Sequence, residues 1–256
     1  MTERVFRLSA AEFFLLWQAA HRGGPPVPLG TRHYGFTEAD RRSLEEVASR
    51  DLYQRGYGTV QRPDEDLYGL LRGLAEFQVG LEVVFNNQAG GLARGLATAA
   101  WHGAFAGRLG DVVQLSGFPP SSLAYTTVNT LPRVSPGAGR SLNVRWDDYL
   151  AAVRAGETDG PEGFLDTLRR LGMREPEMKT LMRIVTTRQG GGQVGLIARN
   201  RNGYLHNVRG AALSWLDTAD GRYLLRRDRQ WLVVAPVDPP RLVSAVESLI
   251  GSVSRG

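Results

Sequence analysis

Along the first part of the chain, apolar residues recur every three or four positions, the spacing of helices that bury one face. Phe13, Leu16, Trp17 and Ala20 make one such face, Ser9 stands where an N-cap belongs, and Glu12 completes a capping box. A helix from Ser9 to about Ala20 is predicted, closed by Gly23-Gly24-Pro25-Pro26. Thr37 caps a second helix running through Tyr53, with Leu44, Val47, Ala48 and Leu52 on its apolar side and Glu38 and Asp40 at its positive end. A third follows Pro63, where Leu67, Leu70, Leu71 and Leu74 keep the period and Asp64-Glu65-Asp66 suits the helix dipole. Gly80 to Phe85, Leu96 to Ala106 and Asp111 to Leu115 then read as strands, with a loop from Asn86 to Gly91. A shorter helix follows Pro119-Pro120 and ends before Pro132.

The rest of the chain repeats this sense. Helices are predicted near Trp146 to Arg154, Glu162 to Leu171 and Glu177 to Arg188, with Gly190-Gly191-Gly192 as a helix-ending loop. Gln193 to Arg199 and Tyr204 to Val208 form strands joined across Asn202-Gly203, a strong hairpin signal. Leu213 and Trp215 alternate with Ala212 and Ser214, Asp217 to Gly221 supplies a turn, and Tyr223 and Leu225 alternate with arginines. Trp231-Leu232-Val233-Val234 reads as a central strand covered on both faces. Asp238 is placed to cap a last helix that starts at Pro239, with Leu242, Ala245, Val246, Leu249, Ile250 and Val253 on one side.

Two alignments between the halves keep a constant spacing. Leu67, Leu70, Leu71 and Leu74 match Met178, Leu181, Met182 and Val185, and Leu123 to Leu131 match Leu242 to Ile250, with Pro120 on Pro239. The expectation is an α+β fold of quasi-two-fold duplicated units that share a central, mainly antiparallel sheet with helical bundles packed on it. Residues 1–132 form the N-terminal half, the Gly-, Pro-, Ser- and Arg-rich stretch 133–142 the connection, and 143–256 the C-terminal half.

Composition narrows the function classes. The 256 residues are 42% hydrophobic and 22% charged, ordinary for a globular chain large enough to need no staple. The absence of cysteine excludes disulfides, thiolate metal sites and cysteine nucleophiles. Phe13 to Trp17 is too short to span a bilayer, so a cytoplasmic chain with no membrane insertion is expected. The net charge of +5 raises nucleic acid as a partner, but Lys179 is the only lysine and the arginines are spread along the chain without a binding motif. No nucleic-acid partner is expected.

Candidate chemistry is sparse. His21, His33, His102 and His206 lack zinc-ligand spacing, and no serine elbow is present. Asp217 and Asp220 read as turn residues, and Arg222, Arg226, Arg227 and Arg229 around Asp228 as solvated charges on a hairpin tip. No catalytic residue, metal or cofactor is assigned, and an enzyme is not expected. One asymmetry stands out: apart from Met1, every methionine lies between Met173 and Met182. Methionine fills irregular cores and also serves surfaces that adapt to a partner, and spacing alone leaves both open.

Trp215-Leu216-Asp217-Thr218, Gly221-Arg222-Tyr223, Val233 to Pro236 and the closing apolar helix resemble the EspG family. So do Leu8 to Phe13, Leu16-Trp17 and Gly35 to Glu38. The resemblance implies a cytosolic, non-enzymatic chaperone of the ESX (type VII) secretion systems of actinobacteria. It would hold the hydrophobic tip of the PPE protein in a PE-PPE heterodimer, with the C-terminal helical bundle and adjoining sheet, and deliver the pair for export. That shifts the methionines toward a partner surface made of Leu168, Leu171, Met173, Met178, Leu181, Met182 and Val185. Homo-oligomerisation stays open. The alternative is a small-molecule-binding or enzymatic α+β domain, which a deep polar pocket would favour.

Overall fold

The structure, a computed structural model, describes residues 4–21, 24–86, 91–199 and 205–252. The hairpin turn read at Asn202-Gly203 lies outside the described residues, as do most of the loop read between Asn86 and Gly91 and the position of Val253. Seven α-helices and ten strands are present among the described residues, a mainly antiparallel α+β fold. The chain divides into two compact units: 1–131 with 194–212 and 247–256, and 132–193 with 213–246.

The first unit opens with strand β1 (Phe6–Ser9), which passes directly into helix α1 (Ala10–Ala20). Ser9 Oγ accepts from the Glu12 amide at 3.1 Å, and Glu12 returns the bond to the Ser9 amide at 2.7 Å. This reciprocal cap satisfies two amides that a helix start leaves without partners. Glu12 is itself buried and also pairs with Arg55. Thr37 and Asp40 build the same box on α2 (Glu38–Gln54), and Asp64 caps α3 (Glu65–Ala75). A meander follows: β2 (Val79–Asn86), β3 (Leu92–Ala99), β4 (Gly103–Leu109) and β5 (Val112–Phe118), then α4 (Leu123–Asn129).

The strand expected from Leu96 to Ala106 is therefore two strands, reversed at Ala100-Trp101-His102 and paired from Ala99↔Gly103 to Ala93↔Leu109. Small residues flank the reversal on both sides and Trp101 reads as one more apolar position, so alternation alone does not mark it. Gly103 is required there because a Cβ would lie 2.5 Å from the Phe118 ring. Strand order in this unit is β1-β5-β4-β3-β2, continued by residues 194–199 of β7 (Arg188–Arg199) and 205–212 of β8 (Leu205–Thr218). Phe6, Phe13, Phe14, Leu16, Leu71 and Phe77 sit at the centre of its core.

The second unit begins the same way. Strand β6 (Leu142–Arg145) leads into α5 (Trp146–Arg170), then α6 (Glu175–Thr186), β7, β8, β9 (Gly221–Asp228), β10 (Trp231–Pro236) and α7 (Pro239–Gly251). The order helix, four strands, helix occurs as α3, β2 to β5, α4 and again as α6, β7 to β10, α7. In each copy a four-residue strand joins the last strand of the meander, β1 on β5 and β6 on β10.

Three readings change here. Gly190 to Gly192 lie inside β7 and not in a loop. A Cβ on Gly191 would meet the Trp215 carbonyl oxygen at 2.5 Å, so these glycines permit close backbone approach within the sheet. From Leu205 on, the strands read at Tyr204 to Val208 and around Leu213 are one strand, β8. Strand β10 is not central: it lies between β9 and the edge strand β6, with Leu232 and Val234 buried and Trp231 exposed. A continuous apolar run does not reveal that only every second residue is covered.

The segment 133–142, read as a connection, is fastened to β9. Arg222 donates its amide to Ser135 O at 2.8 Å, Gly137 donates to Arg222 O at 2.9 Å, and Tyr223 Oη donates to Ala138 O at 2.8 Å.

Candidate partner-binding surface

The seven residues singled out on the second unit come from α5, α6 and the turn between them. Helix α5 is two helical pieces meeting at Gly160, whose φ of 68° and ψ of −159° are not helical, and Pro161 starts the second piece, where no amide donor is needed. That piece brings Leu168 onto the sheet and ends at Leu171. Gly172, at φ 83°, then turns the chain, and the Gly172 and Met173 amides donate to Arg169 O and Leu168 O, both at 3.0 Å. This left-handed closure uses carbonyls that the helix end leaves open. Arg174 is the N-cap of α6, with Pro176 in the first turn.

Leu168, Met178 and Leu181 are at most 3% exposed and belong to one core with Phe164, Ile184 and Leu232. Met173 and Met182 are half-buried and pack against that core. Leu171 and Val185 are 47% and 38% exposed. A folded second unit therefore offers Leu171, Met173, Met182 and Val185 to solvent, while Leu168, Met178 and Leu181 support them from below. On α6 the ion pairs Lys179–Glu175 at 2.8 Å and Arg183–Asp220 at 3.0 Å supply the polar setting.

The charged residues of the β8–β9 turn do different work from that expected. Asp217 is a strand residue, not a turn residue, and Arg222 is not on the hairpin tip. Both are buried and bound to each other, and the Arg222 guanidinium lies 5.5 Å from the Trp215 ring. Arg226, Arg227 and Arg229 are exposed, with Arg227 stacked 4.9 Å from the Trp146 ring centre.

Among the described residues, no group of three or more His, Asp or Glu side chains could hold a metal ion. His33, His102 and His206 are exposed. His21 is half-buried 4.6 Å from the Trp17 ring, and burial lowers its pKa despite a backbone hydrogen bond with Leu71. No described helix is long and apolar enough to cross a membrane.

Periodicity missed two aromatic residues because they stand in turns. Phe36 before α2 and Trp101 between β3 and β4 are 98% and 94% exposed. Each is next to a turn-forming stretch, Gly35-Phe36-Thr37 and Trp101-His102-Gly103, and Phe36 also lies in the Gly35 to Glu38 stretch that carries the family resemblance.

The EspG family model matches residues 9–248. Among solved structures, the chain is similar to the Mycobacterium tuberculosis type VII secretion system chaperone EspG5, solved in complex with the PE25-PPE41 dimer. The two share 15% identity over 96% of each chain with a TM-score of 0.75. No curated protein matches the chain significantly. With the family model covering nearly all of its length, the chain belongs to the EspG family.

Proposed function

We propose that the protein is a cytosolic chaperone of type VII secretion that binds a PE-PPE heterodimer through the PPE protein, keeps it soluble and delivers it to the ESX export machinery. The observation that carries this reading is the whole-length match to the EspG family, supported by the likeness to EspG5, a protein solved with a PE-PPE dimer. The role is binding and release without turnover. Its physical basis is the shielding of an apolar tip that would otherwise drive self-association.

The surface we propose for the partner is on the second unit, around Leu171, Met173, Met182 and Val185, with Leu168, Met178 and Leu181 beneath. Half-buried methionines suit this task because a flexible thioether re-packs around another protein's apolar anchors, and a few such anchors dominate an interface. The test is co-expression of the chain with the PE-PPE pairs of the same genome, followed by affinity capture and size-exclusion chromatography. A stoichiometric ternary complex with one pair supports the reading. Capture of none of them, by a chain shown to be folded, overturns it.

A further inference from the structure

The first unit contains a cavity of about 590 Å³ that the partner reading does not use. Its floor is Trp17, Leu74, Phe77, Leu96 and Ile197, each at most 6% exposed. Its outer wall is the segment Gly24 to Pro28, which joins α1 to the 3-10 turn Val27–Leu29 and has no counterpart between the two pieces of α5, where the break is at Gly160 alone. The cavity is therefore a feature of the first copy that the repeated plan does not demand. Three prolines stiffen this wall, the Trp17 indole donates to Gly24 O at 2.9 Å, and Leu29 is fully buried. Leu205 and His206 complete the rim.

Around this apolar floor Glu82 is the one carboxylate among the described lining residues, beside His21, His206 and Asn207, and the nearby Arg199 guanidinium is engaged by the Phe77 and Ala75 carbonyls. Glu82 of β2 lines the cavity half-buried, and among the described residues its carboxylate makes no ion pair or hydrogen bond. Its place depends on Gly195, because a Cβ there would come within 3.2 Å of the Glu82 side chain. His21, also on the wall, has a buried Nε2 with no partner. A half-buried carboxylate without a cation, at the edge of an aromatic floor, is completed by a positive group attached to an apolar body. The volume is within the range of small-molecule sites, which are mostly apolar with a few placed polar groups.

We propose that this cavity binds a small organic cation, an arylalkyl ammonium in its simplest form, with the ring on Trp17, Phe77 and Ile197 and the ammonium on Glu82. The site is independent of the partner surface on the second unit, so its failure would leave that reading untouched.

The test is a titration of the full chain, followed by amide and indole N–H chemical shifts, with tryptamine and with indole-3-propionate, which has a similar body and the opposite charge. The expected result is saturable shifts at the Trp17 indole N–H, Phe77 and Ile197, with tryptamine binding at least about tenfold tighter than the acid. Glu82→Gln should weaken tryptamine about tenfold and leave the acid unchanged or slightly tighter. Leu205→Trp, at an exposed rim position, should block both while melting as the parent does. Absence of saturation, equal binding of amine and acid, or tryptamine affinity unchanged in a folded Glu82→Gln variant would each overturn the proposal.

Discussion

Asp217 and Arg222 are direct cross-strand partners at the β8–β9 turn, and the guanidinium meets the carboxylate twice, Nε to Oδ1 at 2.6 Å and Nη2 to Oδ2 at 2.9 Å. Both side chains are almost completely withdrawn from water. The same Nη2 donates to Pro132 O at 3.0 Å, and the Arg222 backbone exchanges hydrogen bonds with Ser135 and Gly137. One arginine thus holds together the turn, the strand pair and the segment that enters the second unit.

Removing one member of such a pair leaves a buried charge uncompensated. Arg222→Met should lower stability by about 3–5 kcal/mol, whereas joining it with Asp217→Leu should recover much of that loss. Urea unfolding of the single and double variants measures the difference. Equal destabilisation by both would show that the loss comes from the missing guanidinium bond to Pro132 O and not from the stranded carboxylate.

The closeness of that segment makes a second test. A Cβ on Gly137 would fall 2.2 Å from the Tyr223 ring, whose hydroxyl is tied to Ala138 O. Gly137→Ala should cost about 1–3 kcal/mol by overpacking, while Gly139→Ser, at a φ of 93° with open space around it, should cost only its backbone strain of about 1 kcal/mol. Thermal melts of the two variants compare the effects.

The capping boxes act locally. Ser9→Ala should destabilise by about 1 kcal/mol, which lowers Tm by about 2–4 °C in a domain of this size. Thr37→Ala should have a comparable or smaller effect, because its box is exposed to water. Calorimetry of both variants checks the ranking.

On the proposed partner surface, exposure separates binding from folding. Val185→Asp and Leu171→Asp should leave circular dichroism and the melt close to those of the parent and abolish co-purification with the cognate PE-PPE pair. Met178→Asp should unfold the second unit, since a carboxylate 3% exposed has no partner there. Met182→Asp falls between: half-buried, it should lose the partner with a measurable fall in Tm. Retention of the PE-PPE pair by folded Val185→Asp and Leu171→Asp variants would move the interface elsewhere.

His21 confers a pH dependence. Burial lowers its pKa, outweighing the Leu71 hydrogen bond and the nearby Glu76, which raise it, and Arg72 adds to the lowering. The unfolded chain therefore takes up this proton before the folded one does as pH falls. Stability contributed by the neutral ring is present above the ordinary imidazole range and is lost as pH falls through that range toward the lower folded value. Chemical unfolding across this window should show stability rising with pH, and His21→Phe should flatten that slope.

Much of this architecture is written in local chemistry. Ser9 with Glu12, Thr37 with Asp40, Asp64 and Asp238 each cap a helix because the side chain and the open amides lie within a few residues, so spacing is sufficient information. The repeated order of elements is legible for the same reason, since Leu67 to Leu74 and Met178 to Val185 keep one helical period. Tertiary structure decided what depends on distant chain. It split the small-residue run at Trp101, placed β10 beside an edge strand, and turned three glycines into strand. It also converted Asp217 and Arg222 from turn and surface charges into a buried pair, and sorted the methionine segment into residues beneath and residues at the surface. Neither periodicity nor composition carries that information, because burial is set by which element packs on top, and that element is encoded elsewhere in the chain.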